Sequence, residues 1–190
     1  MGRIVVTEFI TVDGVIEDPG GSEKTARGGW AFKFDRGPAG DKFKMDETMG
    51  ADGMLLGRIT YEGFAEAWPT RTGEFADRMN HMPKYVVSRT IKRPTWENSK
   101  VIASNIAAEV ARLRSAPGGD ILVAGSGQLV RALAENNLVD EYRLMVFPIV
   151  LGTGKRLFGD TPQAASLQLA QTLPVGGGVV ILIYRPFGNK

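Results

Sequence analysis

Short apolar runs rich in β-branched residues alternate with helix-like stretches along most of this chain, and at its end two such runs follow one another. The runs at 3–12 (RIVVTEFITV), 53–57, 84–88, 100–103, 120–124 and 141–148 read as strands. Residues 41–49, 61–67, 106–113 and 128–136 read as helices, with Ile106, Val110 and Leu113 on one face and Pro117-Gly118-Gly119 stopping that third helix. The last strands, 167–173 and 179–185, flank a PVGGG turn. Strands separated by helices need crossover connections. The expected fold is therefore α/β, with a mostly parallel central sheet, helices on both faces and an antiparallel C-terminal edge. No repeat or linker divides the chain, so residues 1–190 read as a single domain.

Composition narrows the function classes. The chain has 190 residues, 43% hydrophobic and 23% charged, enough for an ordinary core. Subtracting 21 acidic from 23 basic residues leaves +2, with no basic stripe of the kind a nucleic-acid binder shows. There is no cysteine, which excludes disulfides and thiolate chemistry. The single histidine, His81, cannot build a multi-histidine metal site, and no metal is expected. No apolar run approaches the ~20 residues of a membrane helix. The chain enters a strand directly after Met1-Gly2, so no signal peptide is expected and the location is expected to be cytoplasmic.

Residues 15–40 carry Gly20, Gly21, Gly28, Gly29, Gly37 and Gly40 without a period, and read as a long mobile loop of the length that often serves as a lid. Trp30, Phe32 and Phe34 alternate within it. They would line a substrate mouth or, alternatively, pin the loop to the core.

Three strand ends suit a phosphate. In ILVAGSGQL (121–129) a buried strand meets small residues and then a helix, whose free N–H groups attract anions. Val130 stands where a full G-x-G-x-x-G would have its last glycine, and a tight strand-to-helix turn is the alternative. In GRITYE (57–62) a strand ends at Gly57, Thr60 would cap a helix, and Arg58 stands beside its start. An Arg–Glu surface pair with an ordinary cap is the alternative there. SRT (88–90) suits a 2′-phosphate or makes a polar loop. In an open parallel sheet all three ends would share the edge where ligands bind. GTGKR (152–156) lacks the first glycine and the hydroxyl of a P-loop, and Ser126 lacks the flanking glycines of a nucleophile elbow.

TVDG (11–14), LLGRITYE (55–62), KYVVSR (84–89), ILVAGSG (121–127) and PIVLGTGK (148–155) occur in that order. Together they resemble the dihydrofolate reductase-like superfamily, and within it stand-alone proteins of the RibD C-terminal type, the reductase of riboflavin biosynthesis. The resemblance spans nearly the whole chain. It implies a dihydrofolate reductase-like fold and NADPH as hydride donor. By position, Gly57, Arg58 and Thr60 would bind cofactor phosphates, and Ser88 and Arg89 the adenosine 2′-phosphate. Gly125, Ser126, Gly127, Gln128 and Leu129 would cradle the pyrophosphate and the nicotinamide side. Ile10 and Ile16 would flank the nicotinamide. A homodimer is implied as well.

The riboflavin-pathway reductase has a substrate-contacting glutamate where this chain has Ala124. Dihydrofolate reductases carry a carboxylate on the first long helix, and counting back from the Gly-Arg motif reaches Asp41, with Asp35, Asp46 and Glu47 competing. Trp30 and Phe32 are candidates for the substrate pocket. The expected activity is NADPH-dependent reduction of a small heterocyclic or carbonyl substrate, similar to the riboflavin-pathway pyrimidine reductase. The alternative is a protein of the same fold that binds NADPH without efficient turnover.

Overall fold

The computed structural model of the chain describes residues 1–159 and 164–188. Its elements run β1 (Arg3–Thr11), a 3-10 turn (Trp30–Lys33), α1 (Gly37–Met49), β2 (Ala51–Gly57), α2 (Arg58–Ala67), α3 (Glu74–His81), β3 (Lys84–Val87), β4 (Ser99–Ile102), α4 (Ile106–Ser115), β5 (Asp120–Val123), α5 (Gly127–Glu135), β6 (Glu141–Phe147), β7 (Leu167–Pro174) and β8 (Val180–Pro186). The strands form one sheet in the order β4-β3-β2-β5-β1-β6-β8-β7. The first six pair in parallel, whereas β8 runs antiparallel to β6 and β7 antiparallel to β8. The α/β architecture expected from the alternation is the one observed.

The central strands are apolar because helices cover both of their faces. Ile4, Val6 and Ile10 of β1 pack with Val110 of α4 and Leu129 and Leu133 of α5. On the opposite face Phe9 joins Trp30, Phe147 and Ile181. A further cluster under α2 and α3 holds Met54, Leu56, Tyr61, Met79 and Trp96.

Several local expectations change. Helix α1 starts at Gly37 rather than 41, with proline in its first turn, where a missing N–H costs nothing. Helix α3 was not expected. Its sequence is polar apart from Phe75, Ala76 and Met79, and one apolar turn gives little periodic signal. Thr60 does not cap α2. The helix begins one residue after β2 ends, Gly57 is its extended N-cap, and Thr60 lies inside the first turn. The glycine-rich loop is tied down. Buried Asp18 accepts bonds from the Glu23 and Thr25 N–H groups, both at 2.9 Å, and the Trp30 indole donates to the Glu17 carbonyl at 2.9 Å.

Candidate functional site

Parallel pairing brings the carboxyl ends of β2, β3 and β5 to one edge. Gly57 stands beside Val87, and Leu55 beside Val123. The chain then makes a close backbone contact. The Gly57 N–H donates to the Gly125 carbonyl at 3.0 Å. A Cβ on Gly57 would lie 2.6 Å from Ser126 Oγ and 2.9 Å from Ser126 N. Only glycine permits this approach, which sets the N-termini of α2 and α5 side by side. Neither terminus is capped by a side chain, so both keep N–H groups for an anion.

The remaining phosphate candidates frame that edge. Arg58 pairs with Glu62 at 2.8 Å, both half exposed, an interaction worth little in water and easily exchanged. Ser88 is buried, and its Oγ accepts from the Thr90 and Ile91 N–H groups at 3.2 and 3.1 Å. Arg89 is exposed. Gln128 is exposed on α5, whereas Leu129 faces the core.

Next to the paired termini opens a cleft of about 370 Å³. Thr60, Gly125, Ser126, Gly127 and Ile16 line one end. Met54, Phe64, Trp68, Phe75 and Met79 make an apolar far end, with Trp68 and Phe75 ring centres 5.4 Å apart. Lys44 and Thr48 are the residues that α1 adds to the floor, and Phe32 stands exposed at the mouth. Ile10 does not line the cleft, because it lies in the core with Val6. Trp30 is fully buried and packs edge-on against Phe147 at 5.4 Å, pinning the loop and not facing substrate. Asp41 is exposed and pairs with Arg36 at 2.7 Å, outside the cleft lining. Asp35 and Asp46 are also exposed. Glu47 is buried but turned away from the cleft, accepting from Thr7 at 2.8 Å and pairing with Lys44 and Arg143.

Four carboxyls line the cleft among the described residues: Glu17, Asp18 and Glu23 of the loop and Glu8 on β1, which sequence reasoning passed over. Glu8 is the one set in the sheet. It is 9% exposed, and its Oε1 has no hydrogen-bond partner among the described residues. Burial pushes its pKa up to about 8, partly offset by the positive charge of Lys44. The available signal was a glutamate in the middle of an otherwise apolar run, where desolvation of a charge is costly. Among the described residues no group of three or more His, Asp or Glu is placed to hold a metal ion.

The RibD C-terminal domain model matches residues 3–181. The Bacillus subtilis protein YyaP is 30% identical over 196 residues, covering 96% of this chain and 94% of its own. Among solved structures, a protein described as a “Putative riboflavin biosynthesis protein”, from Shewanella sp. PV-4, superposes with a TM-score of 0.78 at 19% identity, over 97% of this chain and 98% of its own. A dihydrofolate reductase from Enterococcus faecalis, complexed with NADP(H), superposes with a TM-score of 0.58 at 14% identity, over 97% and 96%. The ordered motifs, the sheet order and these matches agree: the chain belongs to the RibD C-terminal domain family and has the dihydrofolate reductase-like fold.

Proposed function

We propose that this protein is an NADPH-dependent reductase of a small heterocyclic or carbonyl substrate. The observation that carries the reading is the pair of uncapped helix N-termini, joined through Gly57 and Gly125, beside a largely apolar cleft. The residues present fit a dinucleotide phosphate. The starts of α2 and α5 offer N–H groups, and the glycines leave room for a close approach that a Cβ would fill. Arg58, Ser88 and Arg89 stand at neighbouring strand ends, where a 2′-phosphate would distinguish NADPH from NADH. The NADP(H) bound by the enterococcal reductase of the same fold supports this choice. When bound, the reduced nicotinamide supplies a hydride. The chain's part is to hold the reactants together and exclude water, with Phe32 at the mouth and Phe64, Trp68 and Phe75 against the flat part of the substrate.

Titration of the protein with NADPH and NADH tests the reading. Arg58→Ala or Arg89→Ala is expected to weaken NADPH roughly 10- to 100-fold, the worth of a charge-assisted contact, and to leave NADH within a few-fold. Equal weakening of both nucleotides would misplace the 2′-phosphate, and binding of neither would remove the reductase reading. One observation favours the alternative of binding without turnover: Ala124, with no carboxyl, lines the cleft at the position where the resemblance to the riboflavin-pathway reductase implies a substrate-contacting glutamate. NADPH binding with no oxidation by any pterin, pyrimidine or carbonyl compound would support that alternative.

A further inference from the structure

Pairing between β1 and β5 ends at Val6 and Val123. Strand alternation places Glu8 on the same face as Ile4, Val6 and Ile10, two residues beyond that last pair. There it meets the turn into α5. Glu8 Oε1 lies 3.5 Å from where a Cβ on Gly125 would stand, and Thr60 Oγ1 lies 2.8 Å from the same point. The carboxyl therefore sits where the uncapped helix starts meet the apolar cleft. The other acids there are committed. Glu17 and Glu23 pair with Lys155 at 2.8 and 3.6 Å, and Asp18 is bonded into its own loop. Glu8 Oε1 has no hydrogen-bond partner among the described residues.

We propose that Glu8 is the catalytic acid of the cleft, and that the substrate is a flat compound presenting a polarised C=N or C=O bond to it. This deepens, and rests on, the nicotinamide-cofactor reading above. Burial keeps the carboxyl protonated at neutral pH, its pKa standing at about 8. The charges facing it leave it so. Lys44 of α1 pulls the other way but is shared with Glu47 and Thr7. The other cations that line the cleft are engaged elsewhere: Arg36 pairs with Asp41 at 2.7 Å, Lys155 with Glu17 and Glu23, and Arg71 lies over the Trp68 ring.

The hydride that a bound reduced nicotinamide would supply would form the new C–H bond. The π pair of the C=N or C=O bond moves to the heteroatom, which takes the proton as the Glu8 O–H bond breaks. Glu8 is left as carboxylate and the nucleotide as NADP⁺, and solvent returns the proton to Glu8. A metal Lewis acid is not needed for this role.

Oxidised and reduced nucleotide differ by one positive charge on the nicotinamide, so the proposal is testable without knowing the substrate. Calorimetric titration in two buffers of unlike ionisation enthalpy counts the protons released on binding. At pH 7, NADP⁺ is expected to release roughly 0.4–0.9 of a proton more than NADPH, because a cation within a few ångströms lowers a carboxyl pKa by roughly 1–3 units. The 2′-phosphate is common to both and cancels. In Glu8→Gln, which is neutral and nearly isosteric, both nucleotides should still bind and the difference should vanish. Carboxyl ¹³C spectra of wild-type protein labelled at glutamate Cδ give an independent readout. One signal should titrate near pH 8 and fall below pH 7 with NADP⁺. Equal proton counts in the wild type, or a difference that survives in Glu8→Gln, would overturn the role of Glu8 and leave the cofactor reading standing. Failure of both nucleotides to bind would overturn the cofactor reading first, and the role of Glu8 with it.

Discussion

Three buried titratable groups set how stability depends on pH. Lys84 is fully buried. Its ammonium donates to the carbonyls of Asn80 and Glu97 and lies 4.2 Å over the Trp96 ring. Desolvation outweighs the attraction of Glu97 and lowers its pKa to about 8. Between about 8 and the ordinary 10.5 the folded chain binds fewer protons than the unfolded one, so stability rises with pH across that window. Glu8 acts in the opposite sense. Its raised pKa gives stability that is fully present below pH 4.5 and is lost as pH rises through about 8. Tyr142, pushed up to about 12 by burial, does the same between 10 and 12. Chemical denaturation at a series of pH values should therefore show a shallow minimum near pH 8, on the order of 1–3 kcal/mol deep. Glu8→Gln should remove its acid flank and Lys84→Met its alkaline flank. A profile flat from pH 5 to 10 in the wild type would show that water reaches both groups.

At the scale of elements, legibility followed periodicity. The eight strands read directly, because buried strands are continuous β-branched runs bounded by glycine, proline or polar residues, as in RIVVTEFIT and DILV. Their parallel order followed from the alternation with helices. Helix α3 was invisible because only Phe75, Ala76 and Met79 mark its apolar side. The starts of α1 and α2 were misplaced because Gly37 and Gly57 look like breakers until their partners are known. The glycine turns of the candidate site were legible as phosphate-friendly segments, and the fold brought Gly57 and Gly125 together. The proposed acid was not, because a count along the sequence reaches Asp41, which lies outside the cleft lining, whereas the depth at which α1 lies on the sheet presents Lys44 and Thr48 to the cleft. That placement is a packing result, absent from any local pattern. The contact between Gly57 and Ser126 gives an element-scale prediction. Gly57 has an ordinary φ of −72°, so alanine there meets no backbone strain, only Ser126. Gly57→Ala should cost about 1–3 kcal/mol as overpacking, a Tm loss of roughly 2–10 °C at this length. By spreading the starts of α2 and α5 it should also weaken NADPH at least 10-fold in a titration. A loss of stability with unchanged affinity would mean that the two helix starts act separately.

Over the whole molecule, the roof of the cleft is fastened from two distant parts of the chain. The Asp13 carboxylate accepts from the Leu151 and Gly152 N–H groups at 3.1 and 2.8 Å and from Thr11 Oγ1 at 2.6 Å. Ile16 N–H donates to the Lys155 carbonyl, and Leu157 N–H to that of Gly14, so two loops that follow parallel strands close on each other. Farther along, Trp30 drives the same loop into the core beneath Phe147. The two fastenings differ in kind. Trp30 is a buried aromatic, and Trp30→Ala should cost about 3–5 kcal/mol of global stability, read as a fall in the denaturation midpoint. The Asp13 tie is polar and near the surface, so Asp13→Ala should leave global unfolding nearly unchanged and open the roof locally. The readouts are faster protease cleavage within 12–36 or 148–157, and weaker binding of any cleft ligand. The hydrogen bonds from Thr11, Leu151 and Gly152 lower the Asp13 pKa to about 2, so its stabilisation is full above the ordinary 3.8 and fades as pH falls through about 2. Wild-type protein should accordingly keep the slow cleavage pattern down to about pH 4 and approach the Asp13→Ala pattern below pH 3. Cleavage that tracks global unfolding in both variants would show instead that roof and core open as one unit, and that the cleft has no cover able to move independently.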